Sequence, residues 1–288
     1  MAPAVGFTIV RNAIQYDFPV LESIRSILPL VQELYIGLGR SDDGTEALIE
    51  SLNEPKIKVI PTVWDERLRV GGRVLAEETN KVFDQIPSAA GWCLYLQADE
   101  VIHEKDYPAI LRSMETHAGN PAVEGLLFGY RHFYGSYDYL GDSRKWYSHE
   151  IRIIRNDKRI RSYRDAQGFR KDGRKLRVKP VDAQIYHYGW VREPRVQQQK
   201  INDFHRLWTA DDEPLLSAGA PFDYSEIDSL DRFQGTHPAA MQERIRRLNW
   251  RLDLDIRQKR FSAAKALLYW IEKKTGKRLF AYHNYTRI

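Results

Sequence analysis

The side chains best suited to chemistry come directly after an apolar run of the sequence. Trp92 to Leu96 is predicted to be a buried strand, and Gln97, Ala98, Asp99 and Glu100 follow it. Ligands of open α/β sheets bind at the carboxyl ends of the strands, and burial of a strand does not require acids there. Because Mg²⁺ and Mn²⁺ prefer carboxylate oxygens, this end predicts a cation site that would hold phosphates. A strand that stops in an acidic turn is the alternative interpretation.

An alternation of strands and helices is predicted to position these acids. In the first half of the chain, short apolar runs predict strands at 5–10, 34–38, 56–63 and 92–96. Helical spacing predicts helices at 18–30, 45–52, 74–86 and 107–117. Strand and helix units of this length predict an α/β fold with a mostly parallel, doubly wound sheet. The second half predicts strands at 125–133, 150–155 and 181–188, an aromatic loop at 134–147, and helices at 195–208, 241–257 and 261–274.

The composition narrows the class of protein. The 288 residues are 43% hydrophobic and 29% charged, which is ordinary for a soluble globular protein. The net charge of +5 suits anionic ligands and is too small to predict nucleic-acid binding. The single cysteine, Cys93, cannot form an internal disulfide, and neither a signal peptide nor a long apolar span is visible. A cytoplasmic protein is therefore expected.

Five motifs occur in an order that resembles one enzyme family. They are Ile9–Asn12, Leu34–Thr45, Trp92–Glu100, Glu150–Arg155, and His187–Trp190 followed by a helix that contains Lys200. Together they cover about residues 5 to 208 and resemble the glycosyltransferases of family 2, which have the GT-A nucleotide-sugar fold. Two positions depart from the family pattern. Leu38 stands where an Asp is usual after the second strand, and Gln97 stands where the D-x-D metal motif opens.

The resemblance implies a GT-A domain at 1–210 with a helical extension packed on it at 211–288. It also implies inverting transfer of a sugar from a nucleotide-sugar donor to a glycan or lipid-linked acceptor, as in polysaccharide biosynthesis, with Mn²⁺ or Mg²⁺ as cofactor. Position in the motifs assigns the cation to Asp99, with His187 and Glu100 as further ligands. Binding of the nucleotide sugar is expected at Arg11, Asn12, Asp43, Arg73, Gln97, Ala98 and Asp99.

Several of these residues also have a structural interpretation. Asp43 suits a helix cap as well as a nucleoside contact. Arg11 and Arg73 suit solvated surface positions as well as phosphate contacts. His187 lies between two tyrosines, so it suits a packed core residue as well as a metal ligand.

Inverting transfer also needs a carboxylate that takes the proton of the acceptor hydroxyl. Asp165 follows the strand at 150–155 at about the distance where the family places its acceptor-side acid. Glu150 and Asp138 compete with it for this catalytic role. A surface ion pair with the adjacent Arg164 is the structural alternative for Asp165.

Two other functions stay open at this point. A catalytically silent GT-A-like domain that binds a glycan or anionic polymer is consistent with the departures at Leu38 and Gln97. A nucleotidyltransferase would use the same kind of cation and phosphate contacts. The basic segment Arg257 to Lys277 suits packing on the domain, and it also suits peripheral contact with the inner face of an anionic membrane.

Overall fold

Strands and helices alternate through the first half of the chain, as predicted. The computed structural model describes residues 4–65, 67–68, 70–205 and 220–288. The strands are β1 Ala4–Val10, β2 Glu33–Gly39, β3 Ile57–Thr62, β4 Trp92–Tyr95, β5 Glu100–Ile102, β6 Gly125–Tyr134, β7 Tyr139–Gly141, β8 His149–Arg155, β9 Ile160–Tyr163, β10 Gly168–Lys171, β11 Arg174–Lys175, β12 Arg177–Trp190, β13 Leu230–Arg232 and β14 Thr286–Arg287. The α-helices are α1 Val20–Ile27, α2 Thr45–Glu50, α3 Arg73–Gln85, α4 Tyr107–Thr116, α5 Pro194–His205, α6 Gln242–Arg246 and α7 Ala263–Thr275.

The central sheet has a parallel half and a mixed half. Strands β3, β2, β1 and β4 lie side by side in that order and are all parallel. Strand β8 runs antiparallel to β4, β6 runs antiparallel to β8, and β12 runs parallel to β6. The predicted α/β fold class is confirmed.

Strand β4 explains why its sequence is a continuous apolar run. Trp92 and Leu94 pack into one hydrophobic cluster, together with Leu96 just beyond the strand, whereas Cys93 and Tyr95 pack into a second cluster on the other face. Because successive side chains of a strand point to opposite faces, a strand covered on both sides must be apolar throughout. The polar residues that follow Leu96 therefore lie where the sheet ends.

The register of β12 places His187 between strands β5 and β6. Strand β12 pairs with β5 on one side, where His187 lies opposite Glu100. On its other side it pairs with β6, where His187 lies opposite His132. His187, from late in the chain, is thereby brought next to the residues Gln97 to Glu100 that follow β4, which we call the acidic turn.

The C-terminal part of the chain packs on this sheet and adds strands to it. Strand β13 extends the edge formed by β7, and β14 pairs with β12. The helix predicted at 241–257 is the shorter α6, which ends at Arg246, while the helix predicted at 261–274 is α7. The predicted domain boundary at 210 and the end of the helix predicted at 195–208 lie outside the described residues. Among the helices that the structure describes, none is both long and apolar enough to cross a membrane.

Candidate active site

The loop after β1 and the turn after β2 are joined by hydrogen bonds. Asn12 has a left-handed backbone with φ of 49°, and its amide donates to the Ser41 hydroxyl over 3.0 Å. The Asp43 carboxylate accepts from the backbone N–H of Gln15 over 2.7 Å and from the Thr45 hydroxyl over 2.6 Å. Burial raises the pKa of Asp43, but these hydrogen bonds outweigh it and hold the pKa below its ordinary value. Asp43 therefore fixes the turn that leads into α2.

The acidic turn after β4 is held by a buried ion pair. Arg152 donates to both carboxylate oxygens of Glu100, over 2.7 and 2.8 Å, and both side chains are fully buried. The Tyr130 hydroxyl and the backbone N–H of Gln97 also donate to Glu100, over 2.7 and 3.1 Å. Both oxygens of Glu100 are thus engaged, so this residue shapes the turn. Arg152 also donates to the Gln167 carbonyl over 2.9 Å and so reaches a second loop.

Asp99 faces His187, and a pair of histidines sets the orientation of that imidazole. His132 Nε2 lies 2.8 Å from the Tyr147 carbonyl, which only accepts, so this nitrogen carries a proton. Burial keeps the pKa of His132 well below its ordinary value, so the ring is neutral and its Nδ1 accepts. His187 Nδ1, 3.1 Å away, must therefore donate to it. The lone pair of His187 Nε2 is left facing Asp99 Oδ2, 3.8 Å away.

This pair is the best cation-binding arrangement in the acidic turn. The distance of 3.8 Å is too long for a hydrogen bond. Burial lowers the pKa of His187, so its imidazole is neutral at pH 7 and able to bind a metal. The described residues include no group of three or more His, Cys, Asp or Glu side chains arranged for a metal. A cation at Asp99 and His187 would thus take its other ligands from substrate oxygens and water, as Mg²⁺ commonly does.

Gly189 provides the space between these two side chains. A Cβ at this position would lie 2.5 Å from His187 Nε2 and 2.8 Å from Asp99 Oδ2. Both distances are shorter than atoms in contact allow, so any larger residue would displace one of the two groups. The glycine of the predicted His-Tyr-Gly-Trp motif therefore has a geometric role.

Replacing Gly189 with Ala is expected to weaken Mn²⁺ binding in the presence of a nucleoside diphosphate by about 10- to 100-fold, the usual effect of disturbing a ligand's support. Calorimetric titration of Mn²⁺ measures it. Gly119→Ala is the matched control, because a Cβ at Gly119 meets no atom within 4 Å. Equal Mn²⁺ affinity in the two variants would contradict the assignment of Asp99 and His187.

Two basic side chains accompany Asp99. Lys200 Nζ lies 3.7 Å from Asp99 Oδ2 and donates to the Gly189 carbonyl over 3.1 Å. Burial, assisted by the charge of Arg192, lowers the pKa of Lys200 to about 7. Arg192 is fully buried, and its Nη2 has no hydrogen-bond partner among the described residues. Burial raises the pKa of Asp99, but His187, Lys200 and Arg192 outweigh it, so Asp99 is ionised. Lys200 and Arg192 therefore bring positive charge close to this carboxylate, which suits a phosphate bound next to it.

A cavity of about 610 Å³ contains two of the three acids proposed as the base. Glu150 and Asp165 line it, together with the loop that joins β9 to β10. A second cavity of about 600 Å³ shares that loop and extends to Arg73 at the start of α3. Asp138, the third candidate, is exposed at the tip of the β6–β7 hairpin and does not line either cavity.

Glu150 is a buried carboxyl group on the wall of this cavity. Gln167 donates to Glu150 Oε1 over 3.1 Å. Glu150 Oε2 is buried and makes no hydrogen bond of normal geometry with the described residues. Burial raises the pKa of Glu150 to about 7, although the charge of Arg152 opposes this. A base is most effective when its pKa lies near the working pH. Burial also raises the pKa of Asp165.

Tyr147 lies between the acidic turn and the cavity. Its ring packs against His132 and Tyr130, with centroids 4.4 and 4.9 Å apart, and it also lines the cavity. The pKa of Tyr147 is raised well above its ordinary value, first by burial and then by charges that include Glu150 and Asp99. Tyr147 and His132 therefore connect the cavity to His187, which faces Asp99, so the two parts of the site are neighbours.

The other predicted donor-site residues occupy varied positions. Arg11 stacks over the Trp64 ring at 5.4 Å. Arg73 is largely exposed, 3.8 Å from Glu77, at the edge of the second cavity. The Gln97 backbone is fixed, since its carbonyl accepts from the Ser23 hydroxyl over 3.0 Å. Ala98 packs against the hydrophobic core.

Sequence reasoning missed His132, Arg192 and the segment at 278–285, which forms part of the cavity wall. The signal for Arg192 was available, because it lies two residues after the His-Tyr-Gly-Trp motif. His132 and the C-terminal segment reach the site only through long-range pairing of strands. No local pattern predicts those contacts.

Comparison with known proteins gives similarities in structure alone. No protein-family model and no curated protein matches the chain. S. aureus TarS matches with a TM-score of 0.41 and 14% identity, over 70% of this chain and 39% of TarS. The 1–349 portion of TarS matches with a TM-score of 0.40 and 14% identity, over 73% of this chain and 67% of that one. Mannosyl-3-phosphoglycerate synthase from Rubrobacter xylanophilus matches with a TM-score of 0.32 and 16% identity, over 50% of this chain and 43% of that one.

The order and direction of the strands define the fold. Four parallel strands in the order β3-β2-β1-β4 are continued by antiparallel β8 and β6, with helices packed on the sheet. The acidic turn follows the fourth of these strands, as the motifs predicted. The chain therefore has an α/β fold, with a parallel set of strands continued by antiparallel ones.

Proposed function

We propose that this protein is an inverting glycosyltransferase that moves a sugar from a nucleotide-sugar donor to a hydroxyl group of a glycan or lipid-linked acceptor. The observation that carries the proposal is the adjacency of two sites. Asp99, with Lys200 and Arg192 close to it, would face the donor diphosphate, and Glu150 lines the neighbouring cavity with a pKa raised by burial to about 7.

The donor side is suited to a leaving diphosphate. Lys200 and Arg192 supply positive charge in a mostly buried position, where it attracts phosphate oxygens more strongly than it would in water. Arg192 would act there through its charge, because its side chain is fully buried. These groups would stabilise the negative charge that develops on the diphosphate as its bond to the sugar breaks.

Asp99 Oδ2 and His187 Nε2 fit a divalent cation by the chemistry of their donor atoms, and they are the residues that would hold it. When bound, Mn²⁺ or Mg²⁺ would act as a Lewis acid that neutralises the diphosphate. Glu100 stays outside this set, because Arg152 occupies both of its oxygens. Gln97 contributes its backbone to the turn.

On the acceptor side, Glu150 would take the proton of the attacking hydroxyl. The acceptor oxygen then forms a bond to the anomeric carbon while the bond from that carbon to the diphosphate oxygen breaks. A single displacement of this kind inverts the anomeric centre. Asp165, in the same cavity, is the second candidate for this proton transfer.

The decisive test is Asp99→Asn, which keeps the shape of the side chain and removes its charge. We expect it to abolish the part of nucleoside diphosphate binding that depends on Mn²⁺. Thermal shift measures this, with UDP, GDP, ADP and CDP each tested with and without Mn²⁺, because a ligand that binds only the folded state raises its melting temperature. Asp138→Asn makes the same chemical change at an exposed turn and serves as the control.

The outcomes separate the candidate functions. Unchanged nucleotide affinity in Asp99→Asn with Mn²⁺ present would refute the donor site. Nucleotide binding without hydrolysis or transfer would favour the silent binding domain. Among the reaction products, a nucleoside diphosphate indicates sugar transfer, whereas pyrophosphate indicates a nucleotidyltransferase.

A further inference from the structure

The cavity that contains Glu150 has walls from two distant parts of the chain. One part of the lining is formed by the start of β8 and the loop between β9 and β10, and a second part by α7 and the segment at 278–285. Its volume of about 610 Å³ is in the range of small-ligand sites. The chemistry of the second wall indicates which kind of acceptor it takes.

Two arginines on the cavity wall share one carboxylate. Arg144 Nη1 lies 2.6 Å from Glu272 Oε2, and Arg278 Nε lies 3.6 Å from the same oxygen. The arginine side chains are only 16% and 15% exposed. Two guanidinium groups against one carboxylate leave a surplus positive charge in a mostly buried place. Such a charge is costly unless an anion offsets it.

The other charged groups that face the cavity do not remove this surplus. Asp228 is paired with Lys145 over 3.4 Å. Glu150 and Asp165 are the remaining acids of the lining. Arg164 and Lys265 add further positive charge to the lining. The balance of charge in the cavity is therefore positive.

Aromatic rings at the rim of the cavity suit a sugar. Phe280 is 92% exposed and Tyr282 is 76% exposed, although large aromatic side chains usually bury their surface. Phe280 also has a φ of 57°, a left-handed conformation that is strained for a bulky residue. Strained, exposed residues at a cavity are typical of ligand contacts.

We propose that this cavity binds an anionic glycan acceptor, with its phosphate or carboxylate on Arg278 and Arg144 and its sugar rings against Phe280 and Tyr282. The inference rests on the proposed glycosyl transfer and names the substrate class of its acceptor side. The anionic group belongs either to a free acidic glycan or to the phosphate of a lipid-linked sugar. Both sources present the same chemistry to the two arginines.

Binding of matched probes tests the proposal. Calorimetry compares trigalacturonic acid with maltotriose, and glucose 6-phosphate with glucose. We expect each anionic probe to bind at least about tenfold more tightly than its neutral counterpart, since a charge-assisted hydrogen bond contributes about 1.5–3 kcal/mol. Co-sedimentation with phosphatidylcholine vesicles, with and without undecaprenyl phosphate, tests the lipid-linked source.

Arg278→Gln is the informative variant, because it leaves Arg144 and Glu272 as a one-to-one pair and so preserves the packing. It should remove the preference for anionic probes while keeping the unfolding temperature and the affinity for nucleoside diphosphate. Arg246→Gln, which removes the same charge from the exposed side of α6, is the control.

Each outcome has a defined meaning. A preference for the trisaccharide acid or for glucose 6-phosphate supports a free acidic glycan, and binding to undecaprenyl phosphate vesicles alone supports a lipid-linked acceptor. Equal affinity for anionic and neutral probes, together with no vesicle binding, would overturn the proposal, as would an unchanged preference in Arg278→Gln. Anion binding in a protein that binds no nucleoside diphosphate would instead refute the proposed glycosyl transfer.

Discussion

Replacing Glu150 with Gln is expected to slow sugar transfer by at least about a hundredfold while leaving donor binding unchanged. General-base assistance contributes about a hundred- to ten-thousand-fold in rate, and a base acts only in the transition state. Transfer by the unmodified protein should rise with pH and level off above about 7, where Glu150 has lost its proton. Initial rates across this pH range measure both effects.

The same substitution is expected to stabilise the protein at alkaline pH. The folded-state pKa of Glu150, about 7, lies above its ordinary value of 4.5, so the folded protein binds this proton more tightly than the unfolded chain does. The resulting stabilisation is fully present below 4.5 and is lost as pH rises through about 7. Gln cannot ionise, so Glu150→Gln should raise the free energy of unfolding at pH 8 by up to roughly 3 kcal/mol.

Asp165→Asn is the comparison for both measurements. If Asp165→Asn loses transfer and Glu150→Gln keeps it, the base is Asp165 and the inverting mechanism survives. Normal sugar transfer by Glu150→Gln would show that Glu150 is not the base. No gain in stability at pH 8 would show that burial does not raise the pKa of Glu150.

Replacing Arg152 with Met is expected to lower the free energy of unfolding by about 3–5 kcal/mol, because it leaves the fully buried Glu100 carboxylate without its counter-ion. It should also impair both halves of the site, since Arg152 holds the Gln167 carbonyl as well as Glu100. Urea unfolding measures the stability. Calorimetry with a nucleoside diphosphate measures the effect on the donor site.

Two controls define what the Arg152–Glu100 ion pair contributes to the free energy of unfolding. Arg152→Met combined with Glu100→Gln removes both charges and should recover part of the lost stability. Arg161→Met breaks a half-exposed pair with Asp84 and should change stability by no more than about 1 kcal/mol. A loss in Arg152→Met that is as small as the loss in Arg161→Met would contradict the role of the buried pair.

The sequence predicted the parallel half of the fold closely, because local patterns determine it. The run from Trp92 to Leu96 contains β4, and it is apolar because both faces of this strand are buried. The helix predicted at 74–86 became α3 at Arg73–Gln85, which begins after two glycines with left-handed backbones. In the second half the longer loops and short strands left fewer local signals.

The partners of the site residues could not be predicted, because they depend on contacts between distant segments. Glu100 is an acid in a promising motif, yet Arg152, 52 positions further along, engages it fully. Glu150 carries no local sign of its raised pKa, which follows from burial. Which acids serve chemistry and which serve structure is decided by burial and pairing.

The pairing of β12 with β6 has a consequence for how this protein tolerates insertions. Between Pro180 and Gln184, four residue steps on β12 face only two on β6, so the chain already bulges there. An extra residue in this bulge would be absorbed. One inserted between Gln184 and His187 would turn the imidazole to the opposite face of the sheet. Length variation among related chains should therefore collect just before Gln184 and be absent from the three steps that follow it.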